Sequence, residues 1–392
     1  MTPAIKCLIL LAIVALLFVT EMIPLAMTAI GASVACYALG LVPENQIFLG
    51  LADSTVVLFG GMFVVGAAMF YTGLAQKIGG GVVRMFGKGE NSLMFGIMII
   101  AALMSAVLSN TGTTACLIPV VMGICANAKI SASRELMPLA FAAGLGGTIT
   151  LIGTPPNILA NVALKAAGMP ELQFGFFEYA WIGIPITIAG IVYMMFIGKY
   201  LLPKDSGTLN LEIDEEILEN ETSTQKQIIC GIIMVGVIGS MATGIVPLEI
   251  AAVVGAVIAV LTGCLTEKQA YNSIDWVTIF LFAGMIPVAT AMNTSGAGKL
   301  IAEATVKMLG GDPSPYMVTA VLFGLAVVLT QFMSNTASKA LLCPVGIALS
   351  AQMGASPKAV LMAILIASSC AFASPVGTPP NKIGRASCRE RV

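Results

Sequence analysis

The sequence contains no histidine, and charged residues make up only 10% of its 392 residues. The absence of histidine excludes histidine-based metal sites and histidine acid–base catalysis. The low charge content excludes an ordinary soluble domain, in which about 25% of residues are charged. The net charge of −1 gives no indication of a nucleic-acid partner. Nine cysteines are present without a CxxC pair, so neither a zinc site nor a disulfide framework is predicted.

Apolar residues are abundant and form 58% of the chain. A soluble fold of this length could not hide so much apolar surface, because a large share of any folded surface faces water. Apolar runs such as 5–20 and 181–197 approach the roughly 20 residues that a helix needs to cross a bilayer. A second apolar run follows the first at once, without a small-residue cleavage site, so we expect no cleavable signal peptide. The chain is therefore predicted to be an all-α, multi-pass protein of the cell membrane.

Two short motifs occur twice along the chain. Gly153-Thr154-Pro155-Pro156-Asn157 recurs 224 residues later as Gly377-Thr378-Pro379-Pro380-Asn381. Ser109-Asn110-Thr111 recurs 225 residues later as Ser334-Asn335-Thr336. Independent anchors at nearly one offset indicate an internal duplication, which in a membrane protein is typical of secondary transporters.

The first repeat is predicted to span residues 1–201. Its scaffold helices are expected within 5–76, near 5–20, 22–42 and 54–76. A hairpin at 92–128 and a broken helix at 136–166 follow. Because each arm of the hairpin is short for a span, a re-entrant hairpin is the better interpretation.

The second repeat is predicted to span residues 228–383, after a polar linker at 202–227. Its hairpin is expected near 315–352 and its broken helix from about 357. The distribution of lysine and arginine is modestly biased in the direction that places the two hairpins on opposite membrane faces, which predicts inverted-topology repeats.

The end of the second repeat differs from the end of the first. Residues 384–392 are polar and basic, whereas the first repeat continues at the matching place as an apolar helix. We therefore expect the second repeat to be truncated and residues 384–392 to be a foreign tail.

The repeated motifs are suited to binding small ions. Two consecutive prolines remove two backbone N–H donors, so carbonyl groups one turn earlier lose their partners. Freed carbonyl groups can coordinate sodium, and broken-helix N-termini favour an anion. Either motif alone is more often a plain turn, cap or kink. Their recurrence in the same order in both halves favours the functional interpretation.

Three further residues near the motifs carry polar or charged groups. Ser105 and Thr330 lie four residues before a motif serine, which places a second hydroxyl on the same helix face. The alternative interpretation is that each hydroxyl makes an ordinary hydrogen bond to the backbone of its own helix. Lys339 takes the position of Thr114 in the first repeat. A charge there is costly and is a functional candidate, unless it snorkels to a water-filled vestibule.

These motifs resemble those of the divalent anion/sodium symporter family, which carries dicarboxylates, tricarboxylates or sulfate. The resemblance covers residues 5–383 and is most specific in the paired Ser-Asn-Thr motifs and in residues 368–383, which are similar to the family's sodium:sulfate signature. It implies an elevator-type transporter that works as a homodimer in the lipid bilayer. The expected substrate is a small divalent anion, such as a C4-dicarboxylate, citrate or sulfate, with sodium as the coupling ion and no organic cofactor.

The resemblance also implies which residues bind. The first sodium site would use Ser105, Ser109, Asn110 and carbonyl groups near Gly153. The second would use Thr330, Asn335 and carbonyl groups near Met333 and Gly377. The anion would contact Asn110, Thr111, Asn335 and Thr336, with Thr154, Pro155, Thr378 and Pro379 beside them. Lys339 stands where many sodium-coupled members have a small neutral residue. Its ammonium group either replaces a sodium ion or pairs with the anion, which leaves the stoichiometry open.

Other functions remain as alternatives. A sodium-independent anion exchanger would share the fold. Another ion antiporter of related fold should carry a titrating carboxylate at mid-membrane, which the sequence does not indicate. An intramembrane enzyme is disfavoured because there is no HExxH, no GxSxG and no intramembrane carboxylate pair. Glu21, at a junction of two helices, is interpreted as structural.

Overall fold

The computed structural model of the chain describes residues 1–86, 89–128, 130–202, 223–308, 313–373 and 380. Within those residues the regular structure is helical and no β-strand occurs. Most of the predicted linker, the residues Gly377, Thr378 and Pro379, and the predicted foreign tail lie outside the described residues.

The helices of the described residues follow one another in an order that is similar in the two halves of the chain. They are α1 (Pro3–Thr20), α2 (Leu25–Ala38), α3 (Ser54–Tyr71), α4 (Leu74–Met85), α5 (Glu90–Ser105), α6 (Asn110–Ala128), α7 (Ala132–Gly146), α8 (Leu159–Ala166), α9 (Ala180–Tyr193), α10 (Lys199–Leu201), α11 (Thr224–Thr243), α12 (Leu248–Leu261), α13 (Glu267–Ser273), α14 (Trp276–Thr294), α15 (Ala297–Met308), α16 (Pro315–Phe332), α17 (Asn335–Gln352) and α18 (Pro357–Ser369).

Six helical segments in the described part of the chain are long and apolar enough to cross a membrane. They are Pro3–Thr20, Glu44–Tyr71, Ala180–Leu201, Thr224–Thr243, Trp276–Thr294 and Pro315–Phe332. One face of α1 leaves Ile9, Ile13 and Leu16 46%, 50% and 62% exposed, as suits a helix in contact with lipid. The prediction of an all-α membrane protein is confirmed.

Two pairs of consecutive helices lie in the ranges of the predicted hairpins. The first consists of α5 and α6, and the second consists of α16 and α17. The second arm of each hairpin contains a proline at the equivalent position, Pro119 in α6 and Pro344 in α17. Each broken helix also has its predicted first segment, α7 in the first repeat and α18 in the second.

The chain forms two compact units, and each contains one hairpin. The first unit comprises Met1–Gly60, Pro155–Gly175 and Asp275–Gly377. In it, α2 packs along α14, and both arms of the second hairpin pack against α18. The turn Pro155–Ile158 and α8, which belong to the first repeat by sequence, pack against α17. The first unit therefore combines elements of both repeats.

The second unit comprises Gly61–Thr154, Phe176–Ile274 and Thr378–Val392. Within its described residues α7 packs against both arms of the first hairpin and against α9. A Cβ atom at Gly146 would lie 2.3 Å from the carbonyl oxygen of Ala102, so α7 and α5 are in backbone contact. Small residues allow such close packing in membranes, where apolar burial contributes little to helix association. The hairpin is thus held tightly on the helix that leads to the first Gly-Thr-Pro-Pro-Asn motif.

Candidate functional site

The first hairpin tip (residues 105–111) joins the end of α5 to the start of α6. Ser105 is fully buried, and its Oγ donates a hydrogen bond to Oδ1 of Asn110 at 2.7 Å. The Oγ of Ser109 accepts a hydrogen bond from the N–H of Gly112 at 3.1 Å. This is an N-cap contact, which satisfies one of the free amide groups at the start of α6. Ser105 and Asn110 therefore form a polar pair, and Ser109 caps a helix.

The chain after α7 passes directly beside this pair. A Cβ atom at Gly147 would lie 2.2 Å from Oδ1 of Asn110, so only glycine fits there. A Cβ atom at Gly153 would lie 3.0 Å from the carbonyl oxygen of Ser105. The Oγ1 of Thr150 accepts a hydrogen bond from the N–H of Gly153 at 3.0 Å and donates one to the carbonyl oxygen of Ala106. The carbonyl oxygens of Gly147 and Ser105 thus both lie close to Gly153, beside the Ser105–Asn110 pair.

The second hairpin tip (residues 330–336) repeats this geometry in the first unit. The buried Oγ1 of Thr330 lies 2.7 Å from Oδ1 of Asn335 and 2.8 Å from the carbonyl oxygen of Ser368. Met333 is buried with extended backbone (φ −135°, ψ 167°) and separates the two arms. The Oγ of Ser334 accepts a hydrogen bond from the N–H of Ala337 at 3.2 Å and caps α17. A hydroxyl and an amide are therefore paired at the same spacing in each tip.

The residues predicted to contact the anion differ in accessibility. Thr111 is exposed, and Asn110, Asn335 and Thr336 are partly exposed. Thr154 is only 5% exposed, while Pro155 is partly exposed. The two tip amides can therefore meet a ligand from solution, whereas Thr154 is buried.

Lys339 lies on α17, one helical turn beyond Asn335, and is fully buried. Its Nζ donates to Oδ1 of Asn157 at 3.0 Å and to Oγ of Ser369 at 2.8 Å. All three residues belong to the first unit. Snorkelling to a water-filled vestibule is excluded, because the ammonium group is enclosed and bonded.

Comparison with known proteins decides the family. The sequence profile of the CitMHS citrate transporter family matches residues 15–342. The chain belongs to this family. The carrier is accordingly a multi-pass membrane transporter and not an enzyme, as its sequence predicted.

Individual relatives agree with this assignment. An uncharacterized transporter of Haemophilus influenzae is 31% identical over 393 residues, which cover 95% of the carrier and 83% of the relative. The sodium-dependent dicarboxylate transporter SdcS of Staphylococcus aureus is 27% identical over 414 residues, which cover 93% of the carrier and 76% of the relative. The resemblance to the divalent anion/sodium symporter family is confirmed.

A solved structure shows the same fold. The crystal structure of the YdaH transporter from Alcanivorax borkumensis matches the carrier with a TM-score of 0.60 at 17% identity, over 99% of the carrier and 91% of that chain.

Gln331 is a polar residue of the second hairpin whose contacts the sequence did not reveal. Its Nε2 donates to the carbonyl oxygen of Cys370 at 3.0 Å, and its Oε1 accepts from the N–H of Ala373 at 3.2 Å. It thereby holds the segment that follows α18 and leads into the second Gly-Thr-Pro-Pro-Asn motif. The position 225 residues earlier is Ala106, so the repeat gave no signal for a polar contact here.

Glu135 is a buried carboxylate that the sequence did not identify. It is 0% exposed in the first turn of α7, and neither carboxylate oxygen has a hydrogen-bond partner among the described residues. The neighbouring Arg134 forms an ion pair with Glu90 at 2.5 Å. Because an α-helix rises about 1.5 Å per residue, Glu135 lies about 18 Å along the helix axis from Gly147, far from the first hairpin tip.

Proposed function

We propose that the carrier moves a small divalent anion, in the first place a C4-dicarboxylate, across the cell membrane together with sodium ions. Citrate and sulfate are the further candidate substrates. The observation that carries the proposal is the duplicated hydroxyl–amide pair, Ser105 with Asn110 and Thr330 with Asn335, each at 2.7 Å. The sodium-dependent dicarboxylate relative supports the choice of ions.

The chemistry of each pair suits both ions. An asparagine side chain has an acceptor oxygen and a donor NH₂ group on opposite sides of one amide. The oxygen side can contact sodium together with a serine or threonine hydroxyl and nearby carbonyl groups, while the NH₂ side can donate to a carboxylate. Among the described residues, no group of three or more Cys, Asp or Glu residues could hold a metal ion, so a bound cation would take neutral oxygens. Neutral oxygens of freed backbone are a common ligand set for sodium in transporters.

Electrostatics supports coupling to sodium. Moving one negative charge into a cell against a negative interior potential costs about 2.3 kcal/mol per 100 mV. A dianion meets this cost twice, and each sodium ion that moves with it offsets one charge. The coupling ion therefore drives the anion inward.

The test is uptake of labelled succinate into proteoliposomes that contain the purified carrier. An inward sodium gradient should drive accumulation, and replacement of external sodium by choline should abolish it. Protein-free liposomes provide the control for leakage. Succinate uptake that is independent of sodium would overturn symport and favour the anion exchanger.

The homodimer and the elevator motion follow from the family resemblance, and we propose both for the carrier. Light scattering of the purified carrier in detergent should give the mass of two chains after subtraction of the detergent. A monomer that retains uptake on reconstitution at one chain per vesicle would contradict the need for a dimer.

A further inference from the structure

Lys339 lies on the helix that begins at Asn335, one of the residues predicted to bind the second sodium ion. Asn335 and Lys339 are one turn apart on α17 and share a helix face. The Oγ of Ser369 accepts from Lys339 at 2.8 Å, and the carbonyl oxygen of the preceding Ser368 lies 2.8 Å from Oγ1 of Thr330. Consecutive residues at the end of α18 thus contact the lysine and the second hairpin tip.

The oxygens around this ammonium group are of the kind that a sodium ion takes. One is the amide oxygen of Asn157, and the other is the hydroxyl oxygen of Ser369, which itself donates to the carbonyl oxygen of Leu365 at 3.0 Å. Both are neutral, and they come from different elements, the turn Pro155–Ile158 and α18. Three segments of the first unit therefore meet around one positive charge.

No acidic side chain offsets this charge within the described residues. The ion pairs found there join Arg134 to Glu90, Lys165 to Asp53 and Lys299 to Glu303. An ammonium group that is removed from water and has only neutral partners is unfavourable unless another charge approaches. An anionic substrate at the second hairpin tip would supply that charge.

The first hairpin tip has no equivalent charge. The counterpart of Lys339 is Thr114, whose Oγ1 donates to the carbonyl oxygen of Asn110 at 2.8 Å within its own helix. The hydroxyl–amide pairs of the two tips are alike, but only the second tip has a lysine one helical turn beyond its asparagine. A sodium ion from solution is therefore needed only at the first hairpin tip, where the chain itself provides no positive charge.

We infer that the ammonium group of Lys339 takes the place of the second sodium ion, so that the carrier binds sodium at the first hairpin tip alone. The inference rests on the proposed sodium-coupled function and adds the number of ions carried. Because Lys339 is part of the protein, its positive charge attracts the anion without being released together with it.

The experiment counts labelled sodium bound per chain by equilibrium dialysis of the purified carrier at saturating succinate. It compares the wild type with Lys339→Thr, which installs the residue of the first repeat. The control is Lys299→Thr, which removes a lysine whose side chain is 80% exposed. We expect one bound sodium ion in the wild type and in Lys299→Thr, and two in Lys339→Thr. The Hill coefficient for sodium in succinate uptake should rise in Lys339→Thr only.

The outcomes separate the inference from the proposed function. One sodium ion in both the wild type and Lys339→Thr, or two sodium ions in the wild type, would overturn the inference while leaving sodium symport intact. No sodium in the wild type overturns symport, and it also overturns the inferred binding of one sodium ion at the first hairpin tip. No sodium in either protein overturns both. If Lys339→Thr does not fold, Lys339→Ser replaces it. If Lys339→Ser does not fold either, the number of sodium ions bound by the wild type decides. One ion per chain would support the inference, and none or two would contradict it.

Discussion

The Nζ of Lys339 lies 3.0 Å from Oδ1 of Asn157, a residue 182 positions earlier in the chain. The contact joins the second hairpin to the last residue of the Gly-Thr-Pro-Pro-Asn motif of the first repeat, and Lys339 and Asn157 both belong to the first unit. Asn157 is 1% exposed, so its amide serves the interior of this unit and does not reach solvent. The partner of Asn157 is therefore Lys339, a lysine that the first repeat replaces with Thr114, so the two repeats do not share this contact.

Asn157→Ala should destabilise the carrier, because it leaves the buried ammonium group with one acceptor fewer. Loss of a partner from a buried polar group costs about 1–3 kcal/mol, and more where the group is charged. The measurement is thermal unfolding of the purified carrier in detergent. In the Lys339→Thr background the same change should cost clearly less, as a double-mutant cycle would show. Equal losses in both backgrounds would mean that the contact contributes nothing to stability.

Much of the fold follows from the sequence because membrane helices are marked by long apolar runs. The hairpins begin and end within about four residues of their predicted positions, since the short polar motifs interrupt otherwise apolar runs. The third scaffold helix was expected to reach residue 76 but ends at Tyr71. Gly73 follows with φ of 69°, a left-handed conformation that ends a helix. Apolarity continues past this glycine, so hydropathy alone does not show the end of the helix.

The candidate site was only partly predictable. The structure brings Ser105, Asn110 and Gly153 together and pairs Thr330 with Asn335. These positions could be identified from the sequence because the repeat marks them twice. Gly147, Gln331 and Asn157 act through contacts between segments that are distant in the sequence, which a repeat pattern does not encode. Glu135 lies in the polar run 131–135, which resembles a surface loop until the packing of α7 shows it to be buried.

The hydroxyls of Ser105 and Thr330 should differ in their effect on sodium, although their hydrogen bonds to asparagine are alike. Ser105→Ala removes a predicted sodium ligand at the first hairpin tip. Loss of one such interaction is worth about 1 kcal/mol, or roughly a fivefold rise in the sodium concentration for half-maximal uptake. Thr330→Val, at the tip beside Lys339, should leave that concentration nearly unchanged. Sodium titrations of succinate uptake measure both values. Equal shifts in the two variants would indicate two equivalent sodium sites.

Gly147→Ala should abolish uptake while the carrier still folds. The added methyl group would lie 2.2 Å from Oδ1 of Asn110 and would force that amide away from Ser105. Gly123→Ala is the matched control, because it lies on α6 of the same hairpin with no atom within 4 Å of the added carbon. Succinate uptake and elution in gel filtration are measured for both variants. Normal uptake by Gly147→Ala would show that the Ser105–Asn110 pair is not needed for transport.

Glu135→Gln tests the remaining alternative, an ion antiporter that uses a carboxylate. Glu135 is buried without a hydrogen bond among the described residues, which is a costly arrangement that a functional group could explain. Its position argues against that role, because about 18 Å of helix separate it from Gly147 and the first hairpin tip.

Glutamine has almost the same shape as glutamate and carries no charge, so Glu135→Gln removes a proton site with little change in packing. We expect Glu135→Gln to keep sodium-driven succinate uptake, with the same dependence on external pH between 6 and 9 as the wild type. Its thermal stability should be equal or higher, since a desolvated carboxylate is replaced by a neutral amide. A pH dependence that is present in the wild type and lost in Glu135→Gln would show instead that this carboxylate exchanges protons during transport.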